Sequence, residues 1–209
     1  MLPQIIPVLH NSLYEGNEHT KRGVCVGLME VIICSTKEQI LKFIEIIIKV
    51  LQDALSDDNE SVRRMAATSF QSLHSVVGNR ALEEVVPSLM VALENRDADE
   101  ASRLRALNGL TCILSIRSRE LLPYIIPRLI SKPITASHAN ALAGICKVTS
   151  GTIHFHFSTI IPSILSELSS IDSPDESLEA ILKCANSICR NVKIMNHLET
   201  DAVRRIIQS

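Results

Sequence analysis

The stretch IEIIIKVLQDALSDDNESVRRMAATSFQSLHSVV, residues 44 to 77, decides the fold. Together with Ile40 just upstream, its first part places Ile44, Ile47, Ile48, Leu51 and Leu55 at three- and four-residue steps, which gives an α-helix one continuous apolar face. Ile and Val are plentiful here, yet the spacing is helical and not the strict alternation of a half-buried strand. In the second part Val62, Met65, Ala66, Ser69, Phe70 and Leu73 keep the same period, with Arg63, Arg64 and Gln71 falling elsewhere. Val76 and Val77 widen that stripe, as a helix packed against two neighbours requires. Between the halves, Ser56, Asp57, Asp58 and Asn59 can cap the second helix, and Glu60 sits at its positive end. The stretch reads as one helical hairpin.

The hairpin recurs along the chain. IIPVL around Pro7, IIIKVL around Lys49, VVPSL around Pro87, IIPRL around Pro127 and IIPSIL around Pro162 align at separations of 42, 38, 40 and 35 residues. Second blocks lie between them: 22 to 32, 62 to 77, 102 to 116, 137 to 148 and 177 to 192. A period of this size signals stacked helix pairs. The expected fold is all-α, a right-handed α-solenoid of about five hairpins in a single array, with repeats at about 1–38, 39–78, 79–118, 119–151 and 152–192. Residues 193–209 would start a further repeat. No polar capping repeat opens or closes the pattern, so the chain is expected to be a slice of a larger solenoid. Pro7, Pro87, Pro127 and Pro162 each remove a backbone donor and should bend the first helix of their repeat. Gly78 and Gly151 fall where helices should end, and Asp172, Ser173, Pro174 and Asp175 should cap the last one.

Composition agrees. With 209 residues, 46% hydrophobic, 3% aromatic, no Trp, 7 Gly and a formal charge of -2, the chain can bury a sizeable core. That composition argues against disorder, and the near-neutral charge argues against bulk nucleic-acid binding. The glycines are too few for the tight turns of a doubly wound sheet. Cys25, Cys34, Cys112, Cys146, Cys184 and Cys189 form no CxxC pair and lie in apolar stretches, so they are expected to be buried, reduced thiols of a protein of the cytosol or nucleus. No apolar run approaches the roughly 20 residues of a membrane span, and the opening MLPQIIPVLHNSL has neither the basic region nor the cleavage site of a signal peptide.

Chemistry is hard to find. GxSxG, GxGxxG, GxxxxGK[ST] and HExxH strings are absent, so no enzyme, cofactor or small-molecule substrate is expected. His154 and His156 in TIHFHF point about 200° apart on a helix, and the segment is expected to be a loop between repeats with Phe155 and Phe157 packed inward. Basic residues gather as Lys21 with Arg22, Arg63 with Arg64, Arg103 with Arg105, and Arg117 with Arg119. Stacking would set several of them in a row able to meet phosphate or an acidic protein surface. The competing reading is a ladder paired to acids of neighbouring repeats.

A proline-bent first helix, an aspartate in the turn and an arginine early in the second helix together resemble HEAT repeats. Repeat two matches best, with Asp57 and Arg63 in DDNESVRRMAA following Lys49 in the proline position; the resemblance gives Asp57 and Arg63 a structural, inter-repeat role. Lys21 occupies the arginine place after Pro7, whereas Arg103 comes two residues later than expected from Pro87. His138 and Glu176 stand near it in repeats four and five. The ordered strings LPQIIPVL, KRGVCVGLMEVI, FQSLHSVVGNRALEEVVPSL, RSRELLPYIIPRLISKPIT and SPDESLEAIL resemble the C-terminal third of the large translational activators of general amino-acid control, the general control non-derepressible one family. The match fades in NVKIMNHLETDAVRRIIQS. This resemblance implies a non-catalytic cytoplasmic scaffold that rides on stalled ribosomes and recruits, through the kinase's RWD domain, the protein kinase that phosphorylates the alpha subunit of initiation factor two. Arg63, Arg64, Arg103, Arg105, Arg117 and Arg119 are the candidate partner-binding residues from the charge pattern; no direct sequence-specific nucleic acid and no membrane are expected. The HEAT pattern alone also fits a transport receptor or a phosphatase scaffold, and the arginine row a ribosome or RNA contact module.

Overall fold

The computed structural model describes residues 2–95, 97–169 and 176–194, and all regular structure among them is helical. The helices are α1 (Leu2–Glu15), α2 (Glu18–Cys34), α3 (Lys37–Lys42), α4 (Ile44–Leu55), α5 (Glu60–Val77), α6 (Asn79–Glu94), α7 (Glu100–Leu129), α8 (Ala136–Val148), α9 (Phe157–Leu168) and α10 (Glu176–Ile194), with a 3-10 turn at Ile153–His156 before α9. This is the all-α hairpin repeat of an α-solenoid. The chain divides into two compact units, Met1–Arg117 and Ser118–Ser209. The boundary falls where α7 leaves helical geometry, at Arg117 with φ -132° and ψ 42°.

In the first unit, α1 packs on α2 and α4 on α5, forming hairpins; α1, α4 and α6 also pack on one another in order, while α2 lies along α5. First helices thus form one layer and second helices another, each apolar stripe closing on its neighbours. Ile44, Ile47, Ile48, Leu51 and Leu55 from α4 meet this core with Phe70 and Leu73 from α5, all at most 5% exposed. Burial of each such side chain contributes about 1.5–3 kcal/mol. In the second unit α8 lies along α10 and α9 packs against α10.

The turns are written in cap chemistry. Asn17 accepts a hydrogen bond from Thr20 N to start α2, Thr36 and Gln39 form a reciprocal capping box on α3, and Asn59 accepts from Ser61 N to start α5. Gly78 closes α5 at φ 69°, a left-handed backbone that a side chain would strain. The expected caps at Asp172, Ser173, Pro174 and Asp175 lie outside the described residues, and of the further repeat expected at 193–209 only 193–194 are described, as the end of α10.

The four prolines lie inside α1, α6, α7 and α9, and each is exposed while the preceding Ile6, Val86, Ile126 or Ile161 is buried. The missing donor therefore faces water, where the unpaired carbonyl is solvated at little cost. Departures from helical dihedrals fall elsewhere, at Arg117 and at Phe43 (φ -118°, ψ 13°), which separates α3 from α4 in the repeat that carries Lys49 instead of proline.

Three expectations need correction. Arg63 is buried at 8% exposure although it lies off the apolar stripe, because its guanidinium folds back over the turn. Cys34 is exposed at the last turn of α2, and Cys112 and Cys189 are half-buried, so only Cys25, Cys146 and Cys184 are buried thiols. Phe157 points inward at 4% exposure, but Phe155 stands out at 65%. The 3-10 geometry is the reason: at three residues per turn, positions two apart cannot share a face.

Candidate functional site

The charged positions of the first unit converge on the turn between α4 and α5. Asp57 closes that turn by accepting from Asn59 N at 2.9 Å through Oδ1, and its Oδ2 meets Lys21 Nζ from α2 at 2.7 Å. Asp58 receives Arg105 Nη1 from α7 at 3.1 Å. Arg63 does not pair with either carboxylate; its Nη1 donates to the carbonyl oxygens of Asp57 and Asp58 at 2.7 and 2.8 Å. One acidic corner is thereby gripped by cations from the preceding, the same and the following hairpin. These three bases are engaged internally, as in the ladder reading.

Further links run beside this corner. Tyr14 at the end of α1 donates to Asp53 Oδ2 at 2.6 Å, which pushes its phenol pKa above the ordinary value because ionisation would set two anions together. Ser61 donates to Glu18 Oε1 at 2.8 Å, holding that carboxyl below its usual range. Leu13, Tyr14, Lys21, Asp53, Ser56, Asp57, Asp58 and Arg105 surround a shallow polar groove of about 310 Å³. Its charges are mutually paired, which suits it to fixing register and not to holding an anion.

The other candidate arginines are dispersed. Arg64 is exposed and pairs with Glu60 one turn earlier on α5. Arg103 is half-buried, and its side chain enters no ion pair among the described residues. Arg117 stands at the break in α7, with Nη2 3.5 Å from Ser75 Oγ. Arg119 belongs to the second unit, exposed beside Leu122, Thr152, Phe155 and His156 around a groove of about 350 Å³. Asp53, Asp58 and Glu18 carry weight in these links that the sequence reading did not assign. Their signal is a separation of about one repeat from a base or hydroxyl, as in Tyr14 to Asp53 at 39 residues and Ser61 to Glu18 at 43.

Two buried serines repeat the theme in the helix layers. Ser69 Oγ on α5 lies 2.7 Å from Cys25 O on α2, and Ser187 Oγ on α10 lies 3.2 Å from Ala143 O on α8, each spanning 44 residues. The buried thiols are chemically quiet, since burial pushes Cys25 and Cys146 up to about 12 and raises Cys184 as well. No group of three or more His, Cys, Asp or Glu side chains able to hold a metal ion exists among the described residues, and no described helix is long and apolar enough to cross a membrane.

Comparison with known proteins adds to this geometry. Residues 121–208 match the family model described as stalled ribosome sensor GCN1-like HEAT repeats, so the match runs past the point where the sequence blocks faded. The chain is 34% identical over 192 residues, 92% of its length, to the eIF-2-alpha kinase activator GCN1 of Dictyostelium discoideum. It is 34% identical over 86% of its length to the stalled ribosome sensor GCN1 of Homo sapiens. It spans only 7% and 6% of those two relatives. A designed armadillo repeat protein, 15% identical and aligned over 100% of this chain and 97% of its own, has a TM-score of 0.37, and the fold argument rests on the helices described above. The resemblance read from the ordered blocks is thus met along nearly the whole chain, with residues 121–208 matching the model of GCN1-like HEAT repeats.

Proposed function

We propose that this chain is a non-catalytic interaction segment of a larger cytoplasmic HEAT-repeat scaffold, one that associates with ribosomes and recruits and activates the kinase that phosphorylates initiation factor two alpha when amino acids are scarce or ribosomes stall. Its five hairpins act as one array within that longer solenoid, and its partners are the RWD domain of the kinase and the ribosome. The observation that carries this reading is 34% identity over 92% of the chain to a relative named as an activator of that kinase. An internal ladder of paired charges, which spends the turn's ionisable groups on joining hairpins, fits a scaffold. Arg64, Arg103, Arg117 and Arg119, which are not tied to the Asp57 and Asp58 corner, are the candidate arginines left for an outside partner.

The test uses the longer parent protein, with and without this segment, and the segment by itself, as baits for purified kinase RWD domain and for ribosomes. Capture of either bait by the segment, weakened by Arg64→Glu with Arg103→Glu at unchanged helicity, supports the reading. A parent that binds both baits equally well after the segment is deleted overturns it, and a parent that binds neither leaves the transport-receptor or phosphatase-scaffold reading in its place.

A further inference from the structure

The second unit carries a groove that none of its internal packing uses. Residues 118–129 of α7 supply Arg119 and Leu122, and the 3-10 turn with its approach supplies Thr152, Phe155 and His156, around about 350 Å³. Leu122 is fully buried and forms the floor. Phe155 is 65% exposed although Ile153 and Phe157 beside it are at 0% and 4%, so a large apolar ring is held out in water by the turn geometry. The ring is not loose, for the His154 imidazole lies against it with centroids 3.9 Å apart. None of the lining residues is acidic, and Arg119 makes no ion pair among the described residues. Burial holds His156 below its ordinary pKa, which leaves the Arg119 guanidinium as the groove's charge at neutral pH.

We propose that this groove is a docking site for an acidic peptide segment of a partner protein that carries one apolar or aromatic side chain. The apolar side chain lies against the exposed Phe155 ring, and a neighbouring carboxylate meets the Arg119 fork, the group best suited to bidentate carboxylate recognition. The volume sits at the small end of the about 300 to 1,000 Å³ typical of ligand cavities, room for one or two side chains and not for a cofactor. Single-stranded RNA is the weaker occupant. One guanidinium neutralises one phosphate, whereas backbone-driven affinity needs many, and stacking platforms use several aromatics where this groove has one. The proposal goes beyond the scaffold reading and holds whichever protein carries the peptide.

Fluorescence anisotropy on the full 209-residue chain tests it, with labelled peptides Asp-Asp-Φ-Asp-Asp in which Φ is Leu, Met, Phe or Trp. The expected result is binding of at least one, about tenfold tighter than its Asn-Asn-Φ-Asn-Asn and Asp-Asp-Gly-Asp-Asp counterparts. Arg119→Glu and Phe155→Ala each weaken it by about tenfold with unchanged melting curves, both side chains being exposed. Arg80→Glu, at an exposed position in the other unit, leaves it unchanged. The proposal is overturned if none of the acidic peptides binds, if the Asn or Gly counterparts bind as well, if Arg80→Glu weakens binding equally, or if an oligouridylate of the same length binds more tightly.

Discussion

Gly109 in α7 lies where the backbone of α7 meets the end of α4. A Cβ built on it would stand 2.6 Å from the carbonyl oxygen of Leu55 and 3.2 Å from its carbonyl carbon. Ordinary contact begins near 3.4 Å, and the obstructing atoms are backbone, so a methyl group can be housed only by moving one helix away from the other. A shift of about 0.8 Å forfeits roughly a quarter to a half of each dispersion contact it opens. Leu51, Leu55, Leu110 and Ile113, all at most 1% exposed, lie on the two helices concerned. Overpacking of this kind costs about 1–3 kcal/mol. Gly109→Ala also gains about 1 kcal/mol of helix propensity, which blurs its absolute effect. Gly23 supplies the reference: it lies in α2 of the same unit, and a Cβ there meets nothing within 4 Å. Gly23→Ala should stabilise by about 0.5–1 kcal/mol, so the difference between the two variants isolates the clash at about 1–3 kcal/mol. Urea unfolding followed by circular dichroism reads that difference directly. Equal midpoints for Gly109→Ala and Gly23→Ala would refute the close approach of α4 and α7.

Three further outcomes follow from the same geometry. Arg63→Ala strips two turn carbonyls of their charged donor and should lower unfolding stability by about 1.5–3 kcal/mol, with Arg63→Lys recovering only part because one ammonium cannot copy the planar fork; urea midpoints check both. Maleimide labelling should modify Cys34 rapidly in the folded chain and reach Cys25, Cys146 and Cys184 only after unfolding, and early modification of the buried three would contradict the packing. In a Tyr124→Phe background Tyr14 is the remaining tyrosine, and its phenolate should appear above pH 10.0, moving down when Asp53→Asn removes the neighbouring charge. The folded pKa is raised, so this contact contributes fully below the unfolded value near 10 and is lost as pH rises through the folded one.

How much of this was legible in the sequence depended on the kind of force involved. The anchors around Pro7, Pro87, Pro127 and Pro162 were readable because helical periodicity fixes which residue faces the core, and the buried residue before each proline follows from it. Ladder partners were harder. Arg103 stood closer to the expected HEAT position, yet Arg105 is the residue that reaches Asp58, and half a turn of helix separates the two outcomes. Arg63 was legible as structural, but its acceptors are carbonyls, a choice made by rotamer and turn geometry that residue types do not encode. Phe155 was misjudged because TIHFHF is compatible with an extended loop, and only the 3-10 winding turns its ring outward. Arg119 looked like one more member of a basic row. Its distinction is the groove beside it, completed by Thr152, Phe155 and His156 from the next hairpin.

The paired serines set a rule for how such a chain can change length. Ser69 reaches Cys25 and Ser187 reaches Ala143 across the same 44 residues, although the anchor blocks of the two hairpin pairs are 42 residues apart in one case and 35 in the other. A one-residue insertion between α2 and α5 that turned the serine off its carbonyl would also rotate the apolar stripe by about 100°. A designer lengthening a turn inside either bonded pair would therefore do well to hold the 44-residue spacing between serine and carbonyl fixed.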